Sequence, residues 1–169
     1  MTDMTGAKQL DLRPEKVLPH AHPMILLDEI LDYGDQFTVA LIRPEVGKPF
    51  ADDHGCVPVW VGMEYMAQTI GAYAGIQSQL AGEAVKIGFL LGTRAYDCSL
   101  DTFQVGREYR VRVEKVYEGD GLSSFECTIE QTVDKESAHL DTMDKVIARA
   151  VINTFQPDDI QAFMEAQKT

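Results

Sequence analysis

Apolar positions along the chain fall into segments of two different periods. Residues 24–31 (MILLDEIL) and 37–43 (FTVALIR) are dense in apolar and β-branched side chains and flank the turn-like Tyr33-Gly34-Asp35, the pattern of two hairpin-linked strands. Between residues 57 and 82 the run VPVWVGMEYMAQTIGAYAGIQSQLAG has no proline after Pro58 and stops at Gly82, where a helix C-terminus belongs. One long helix is predicted there. Beyond it, residues 87–98, 107–117, 122–133 and 146–155 are each long enough for a strand, and Tyr109-Arg110-Val111-Arg112-Val113 alternates strictly. Residues 160–166, preceded by Pro157-Asp158-Asp159, predict a short surface helix with an acidic first turn. Two strands, one helix and four strands exclude alternating βαβ units and predict an α+β fold in which an antiparallel sheet wraps the helix. No repeat or linker divides the chain, so one domain is expected over residues 1–169, with a core over about 18–157 and the C-terminal helix over 158–167.

The helix is unusual in composition. Glu64 is its sole charged side chain, and small residues (Gly62, Ala67, Gly71, Ala72, Ala74, Gly75) recur at three- and four-residue spacing. A helix apolar on nearly every face is expected to be buried on nearly every face. Glu64, Gln68, Gln77 and Gln79 interrupt it, which leaves no apolar run near the roughly 18 residues of a membrane span. A carboxyl group at position 64, taken to lie about two turns into the helix, would lose hydration and favour its protonated form, the state a general acid requires. Gln68, four residues on and on the same face, is placed to hydrogen-bond it and hold its rotamer. Against this stands the plain alternative that Glu64 pairs with an arginine such as Arg94 or reaches solvent near the helix start.

Charge and composition narrow the partners. The 169 residues carry 27 acidic against 15 basic side chains, a net charge of −12, which repels nucleic acid and anionic membranes. Cys56, Cys98 and Cys127 are odd in number and far apart, so neither a disulfide framework nor a zinc site is indicated. The first residues, MTDMTGAKQLDL, lack the basic-then-apolar order of a signal peptide, and a cytoplasmic setting is expected. Four histidines remain as candidate chemistry: His20 and His22 in Leu18-Pro19-His20-Ala21-His22-Pro23, His54 in the Asp52-Asp53-His54-Gly55 turn, and His139 in a polar loop. His-x-His spacing can chelate a metal, but prolines flank the pair and no third ligand has a defined spacing, so no metal is expected. Phosphate loops, GxSxG elbows, HExxH and Cys-His pairings are absent from the sequence, which removes phosphoryl transfer and serine or cysteine nucleophiles.

Leu18-Pro19-His20-Ala21-His22-Pro23-Met24-Ile25-Leu26-Leu27-Asp28 resembles the LPHRxPxLLxD opening of the β-hydroxyacyl-acyl-carrier-protein dehydratases, FabZ-like proteins of the hotdog fold. Glu64-Tyr65-Met66-Ala67-Gln68 resembles their ExMAQ helix. Further similarity runs through residues 88–96, 124–127 and 153–157, with the strongest likeness to the ApeP-like branch of aryl polyene biosynthesis. The resemblance implies dehydration of a 3-hydroxyacyl thioester carried on the phosphopantetheine of acyl carrier protein, with no other cofactor. It also implies a dimer, homomeric or with a related hotdog subunit, because the family pairs a histidine of a GHFPxxP loop with the helix carboxylate of the partner. Glu64 takes the carboxylate role. The family histidine does not carry over: the position fourteen residues before Glu64 is Phe50. His20 is the first substitute and His54 the second, and the third possibility is that no imidazole is present.

The mechanism that follows has neutral His20 remove the α-proton and protonated Glu64 protonate the departing β-hydroxyl, while backbone N–H groups around Gly62 and Met63 polarise the thioester carbonyl. Trp60, Tyr65, Phe89 and Leu90 are candidate tunnel walls, each otherwise a core residue. Between Lys86 and Lys115 the basic residues Lys86, Arg94, Arg107, Arg110, Arg112 and Lys115 outnumber four acids, a local patch for an acidic carrier protein unless it is merely a solvated sheet face. Two rival readings remain: a thioesterase in which Glu64 activates water, and a non-catalytic subunit that completes the site of a related hotdog protein.

Overall fold

The computed structural model describes residues 10–132 and 145–168, so His139 and the first nine residues lie outside it. In chain order the elements are α1 (Pro14–Val17), β1 (Glu29–Tyr33), β2 (Phe37–Ile42), β3 (Val57–Pro58), a 3-10 turn (Val59–Val61) and α2 (Gly62–Ala81). There follow β4 (Phe89–Cys98), β5 (Thr102–Phe103), β6 (Tyr109–Gly119), β7 (Leu122–Gln131), β8 (Lys145–Phe155) and α3 (Ile160–Ala166). Six strands form one antiparallel sheet in the order β1-β2-β6-β7-β8-β4, and β3 pairs separately with β5.

Alternation decides what the sheet offers the helix. Tyr109, Val111 and Val113 of β6 are buried, as are Phe125, Cys127 and Ile129 of β7, and they join Met66, Ile70, Tyr73 and Ile76 of α2 in one core. Each such side chain contributes about 1.5–3 kcal/mol through removal from water. The helix ends at Gly82 in the left-handed conformation (φ 71°), whose N–H donates to the Gln79 and Ser78 carbonyls, as its position at the end of the periodic run predicts.

Three boundaries differ from the sequence reading. The segment 57–61 is not helical, because Val57–Pro58 pairs with Thr102–Phe103 before the 3-10 turn, so α2 starts at Gly62 and Glu64 lies in its first turn rather than its second. Residues 24–28 precede the first strand in place of forming its start, since Met24 and Leu26 spend backbone groups on a side chain of α2. The packed core also begins before residue 18, with Pro14 and Val17 of α1 buried.

Residues 11–26 form a strap that runs along α2 from its C-terminal towards its N-terminal end. Gln79 exchanges hydrogen bonds with the Asp11 backbone, accepting from its N–H at 3.2 Å and donating to its carbonyl at 3.1 Å. Further along, a β-carbon on Gly75 would overlap the Val17 carbonyl and one on Gly71 would meet Leu18. The small residues therefore admit the strap rather than simply fitting a sheet. Nor is α2 buried all round: Gly71, Ala74 and Gln77 are half-buried and line an open groove. Among the described residues no helix is long and apolar enough to cross a membrane.

Candidate active site

The strap ends its run along the helix by placing His20 beside Glu64, Nε2 to Oε1 4.0 Å apart. That separation exceeds direct hydrogen-bond range and leaves both groups able to address something between them. Their side chains are 36% and 38% exposed, so in the single chain Glu64 reaches solvent near the helix start instead of losing its hydration. The reason is the late helix start at Gly62, which sets Glu64 in the first turn at the rim of α2 instead of beneath the sheet.

Gln68 secures this corner. Its Nε2 donates to Glu64 Oε1 at 2.9 Å and to the Met24 carbonyl at 2.7 Å, and its Oε1 accepts from the Leu26 N–H at 2.9 Å. The amide thus bonds the helix carboxylate to the strap that carries His20. Gln68 is wholly buried and lines the inner end of the groove, where its amide is spent on Glu64 and the strap.

His20 and Glu64 open onto a groove of about 530 Å³ that follows α2 as far as Ala81. Between Glu64 and Ala81 the helix rises about 25 Å at 1.5 Å per residue. Small residues Ala67, Gly71 and Ala74 line it along the helix, Phe89, Leu90 and Phe125 line it from the sheet, and Lys86 and Lys115 line it with Glu83 and Glu118. Phe163 of α3 packs against Phe89 and Phe155, with ring centroids 5.2 and 5.4 Å apart, holding the wall that Phe89 provides.

Several sequence candidates lie elsewhere. Trp60 is 61% exposed and packs edge-on against Phe50, because the 3-10 turn projects it away from the helix axis. Tyr65 faces the core against Phe103 and lines a separate cavity of about 340 Å³, where burial, with Asp28 second, raises its hydroxyl above the ordinary phenol range. His22 lines that second cavity, whereas His54 sits exposed in the turn capped by Asp52 and lines neither. Gly62 is not a free oxyanion donor, since its N–H is already given to the Val59 and Trp60 carbonyls; its lack of a β-carbon instead admits Tyr96, whose hydroxyl donates to the Val59 carbonyl at 2.7 Å. Met63 is half-buried beside it and does not line the groove. Arg94 lies exposed on β4 and makes no ion pair with Glu64, whose polar contacts are His20 and Gln68.

The basic row is partly neutralised within the chain. Arg112 bonds Glu114 at 3.1 Å and covers the Phe37 ring at 4.3 Å, Lys86 pairs with Glu83 at 2.8 Å, Lys115 pairs with Glu118, and Arg107 and Arg110 are also engaged. Strand alternation places Arg110 and Arg112 together but also brings the acidic side chains of the same sheet face within reach. Among the described residues no group of three His, Cys, Asp or Glu side chains is placed to hold a metal.

One antiparallel sheet wrapped around one long helix defines a hotdog-fold protein. Residues 12–165 match the family described as ApeP-like, ApeP dehydratase, and the chain belongs to that family. It is also similar to a chain of the dehydratase heterocomplex ApeI:P from Xenorhabdus doucetiae, with a TM-score of 0.80 and 25% identity over 95% of this chain and 100% of that one. Among curated proteins, the 3-hydroxyacyl-[acyl-carrier-protein] dehydratase FabZ of Streptococcus uberis is 39% identical over 34% of this chain and 44% of its own length. Its Streptococcus pyogenes counterpart is 37% identical over 37% of this chain and 48% of its own. The chain spans about half the length of the curated relatives it matches. A hypothetical thioesterase from Streptococcus pneumoniae, solved with coenzyme A, shares the fold at a TM-score of 0.55 and 14% identity, covering 76% of this chain and 84% of that one.

Proposed function

We propose that this chain dehydrates 3-hydroxyacyl thioesters carried on acyl carrier protein, in the cytoplasm and in aryl polyene or a fatty-acid-like biosynthesis. The observation that carries this reading is the His20–Glu64 pair, 4.0 Å apart at the rim of a long groove and held by a buried glutamine. Imidazole as base and carboxylic acid as acid suit the loss of water from a β-hydroxyacyl group, since one proton leaves the α-carbon and one joins the departing hydroxyl. The groove accepts an extended chain, and the thioester is presented on the carrier's phosphopantetheine, with no other cofactor required.

A second hotdog subunit belongs to the same proposal. Phe50 stands where the resembling dehydratases carry their loop histidine, so this chain cannot offer a partner the usual imidazole from that loop. A heteromeric partner with that histidine would complete a site around Glu64, in line with the ApeI:P heterocomplex to which the chain is similar.

The purified chain, alone and with a hotdog partner, is to be incubated with 3-hydroxyacyl carrier protein and followed by intact mass. Loss of one water from the acyl chain supports dehydration. Cleavage of the thioester supports the thioesterase reading, and activity only with the partner assigns the chain an obligate subunit role.

A further inference from the structure

Every polar group of the buried Gln68 amide is used, and the backbone dictates which way round it lies. A side-chain amide can be turned over, exchanging oxygen and nitrogen. Here a turned amide would set its NH2 against the Leu26 N–H and its oxygen against two acceptors, the Met24 carbonyl and Glu64 Oε1. Three repulsive contacts would replace three hydrogen bonds. The strap's main chain, not the carboxyl group it serves, therefore fixes a permanent N–H donor on Glu64 Oε1.

A carbonyl oxygen accepts a hydrogen bond better than a protonated hydroxyl oxygen does. We infer that Gln68 is a positioning residue that decides which oxygen of Glu64 carries the proton: Oε1 remains the acceptor and Oε2 is the acid. Oε2 has no protein partner among the described residues, whereas Oε1 is the oxygen 4.0 Å from His20 Nε2. A proton on Oε1 would face the imidazole and pass to it, neutralising acid and base together. Keeping it on Oε2 holds the two roles apart.

The chemistry rests on the dehydratase reading, while the geometry does not. In that reaction the Cα–H bond breaks and its proton passes to His20, and the electron pair forms the Cα=Cβ bond. The Cβ–O bond breaks, and the hydroxyl leaves as water with the proton from Glu64 Oε2. The imidazolium then gives up its proton to solvent at the half-exposed site and Glu64 Oε2 takes one from it, which restores both groups.

Two measurements test the inference. At low pH, the infrared spectrum of the wild-type protein minus that of Glu64→Gln isolates the C=O stretch of protonated Glu64, and the same subtraction in a Gln68→Met background gives that band without the donor. The expected result is a shift to higher frequency in the Gln68→Met background, and an unmoved band overturns the inference. With 3-hydroxyacyl carrier protein as substrate, Gln68→Met is expected to lower kcat about tenfold to a hundredfold with KM within about twofold, because the amide's hydrogen bonds are spent on Glu64 and the strap. An unchanged kcat, or a loss confined to KM, overturns it equally. Should Gln68→Met fail to fold, Gln68→Glu keeps the acceptor for Leu26 and leaves one acid proton for two acceptors, and the same shift and kcat loss are expected at smaller size. A band shift in a protein that dehydrates nothing would refute the dehydratase reading and leave the proton assignment standing.

Discussion

Gly75 of α2 lies against the backbone carbonyl of Val17 so closely that no β-carbon fits between them. Because the neighbour is main chain, turning a side chain cannot relieve an added methyl group. Four residues earlier on the same face, Gly71 meets only the Leu18 Cδ2 methyl, 3.1 Å from where its β-carbon would stand. The strap that delivers His20 to Glu64 is therefore set by one rigid contact and one yielding one.

Gly75→Ala is expected to destabilise the protein by about 1–3 kcal/mol, against at most about 1 kcal/mol gained from helix propensity. Gly71→Ala should stay within about 1 kcal/mol of wild type, since Leu18 can shift while the helix gains propensity. Thermal unfolding of the two variants measures the contrast. A Gly75→Ala protein as stable as wild type would mean that the strap does not lie on the helix.

Glu64→Gln should abolish dehydration by about 10²-fold or more while leaving stability nearly unchanged, because the amide can still offer Oε1 to Gln68 and the site is half-exposed. Turnover by intact mass, compared with the unfolding midpoint, separates the two effects.

Among the histidines, His20→Ala is expected to cost about 10²-fold or more in turnover, and His54→Ala far less, since His54 lies in an exposed turn away from the groove. Comparable losses in both variants would return His54 to candidacy. Unchanged turnover in His20→Ala would point to an imidazole from the partner.

Burial pushes the Cys127 thiol up to about 12, so its folded pKa lies above the unfolded value of about 8.5. The neutral thiol is the form the fold favours. Its contribution is complete below about pH 8.5 and lost as pH rises towards 12. At pH 8 the thiolate is then roughly one part in 10⁴, and native protein should leave Cys127 unmodified by a thiol reagent. Cys56 and Cys98, half-buried, should react first, and denaturant should expose the third site. The mass of the labelled protein counts the sites.

Much of the fold was legible from local pattern. Strict alternation in Tyr109–Val113, the unbroken run to Gly82 and the turn at Gly34 each report a backbone period or a backbone break, and these are properties of neighbouring residues. Where local pattern misled, a distant segment had intervened. Pro58 begins no helix because Thr102–Phe103 pairs with Val57–Pro58, and the start of residues 24–28 is not a strand because Gln68 takes the Met24 carbonyl and the Leu26 N–H. Arg110 and Arg112 share a face as alternation requires, and the same alternation sets Glu114 beside Arg112 and reduces the patch they form.

The site divides in the same way. Glu64 was conspicuous in the sequence as the one charge in a helix of small and apolar residues, and Gln68 followed from the four-residue spacing on one face. Their hydrogen bond is a matter of helix geometry and needs nothing else. The degree to which Glu64 is buried, the displacement of Trp60 and Tyr65 from the groove, and the approach of His20 across 44 residues of chain were decided by tertiary structure. A sequence determines which side chains a helix turn places together. Which strap lies across that turn depends on close approaches such as Gly75 to Val17, and those exist only once the chain has packed.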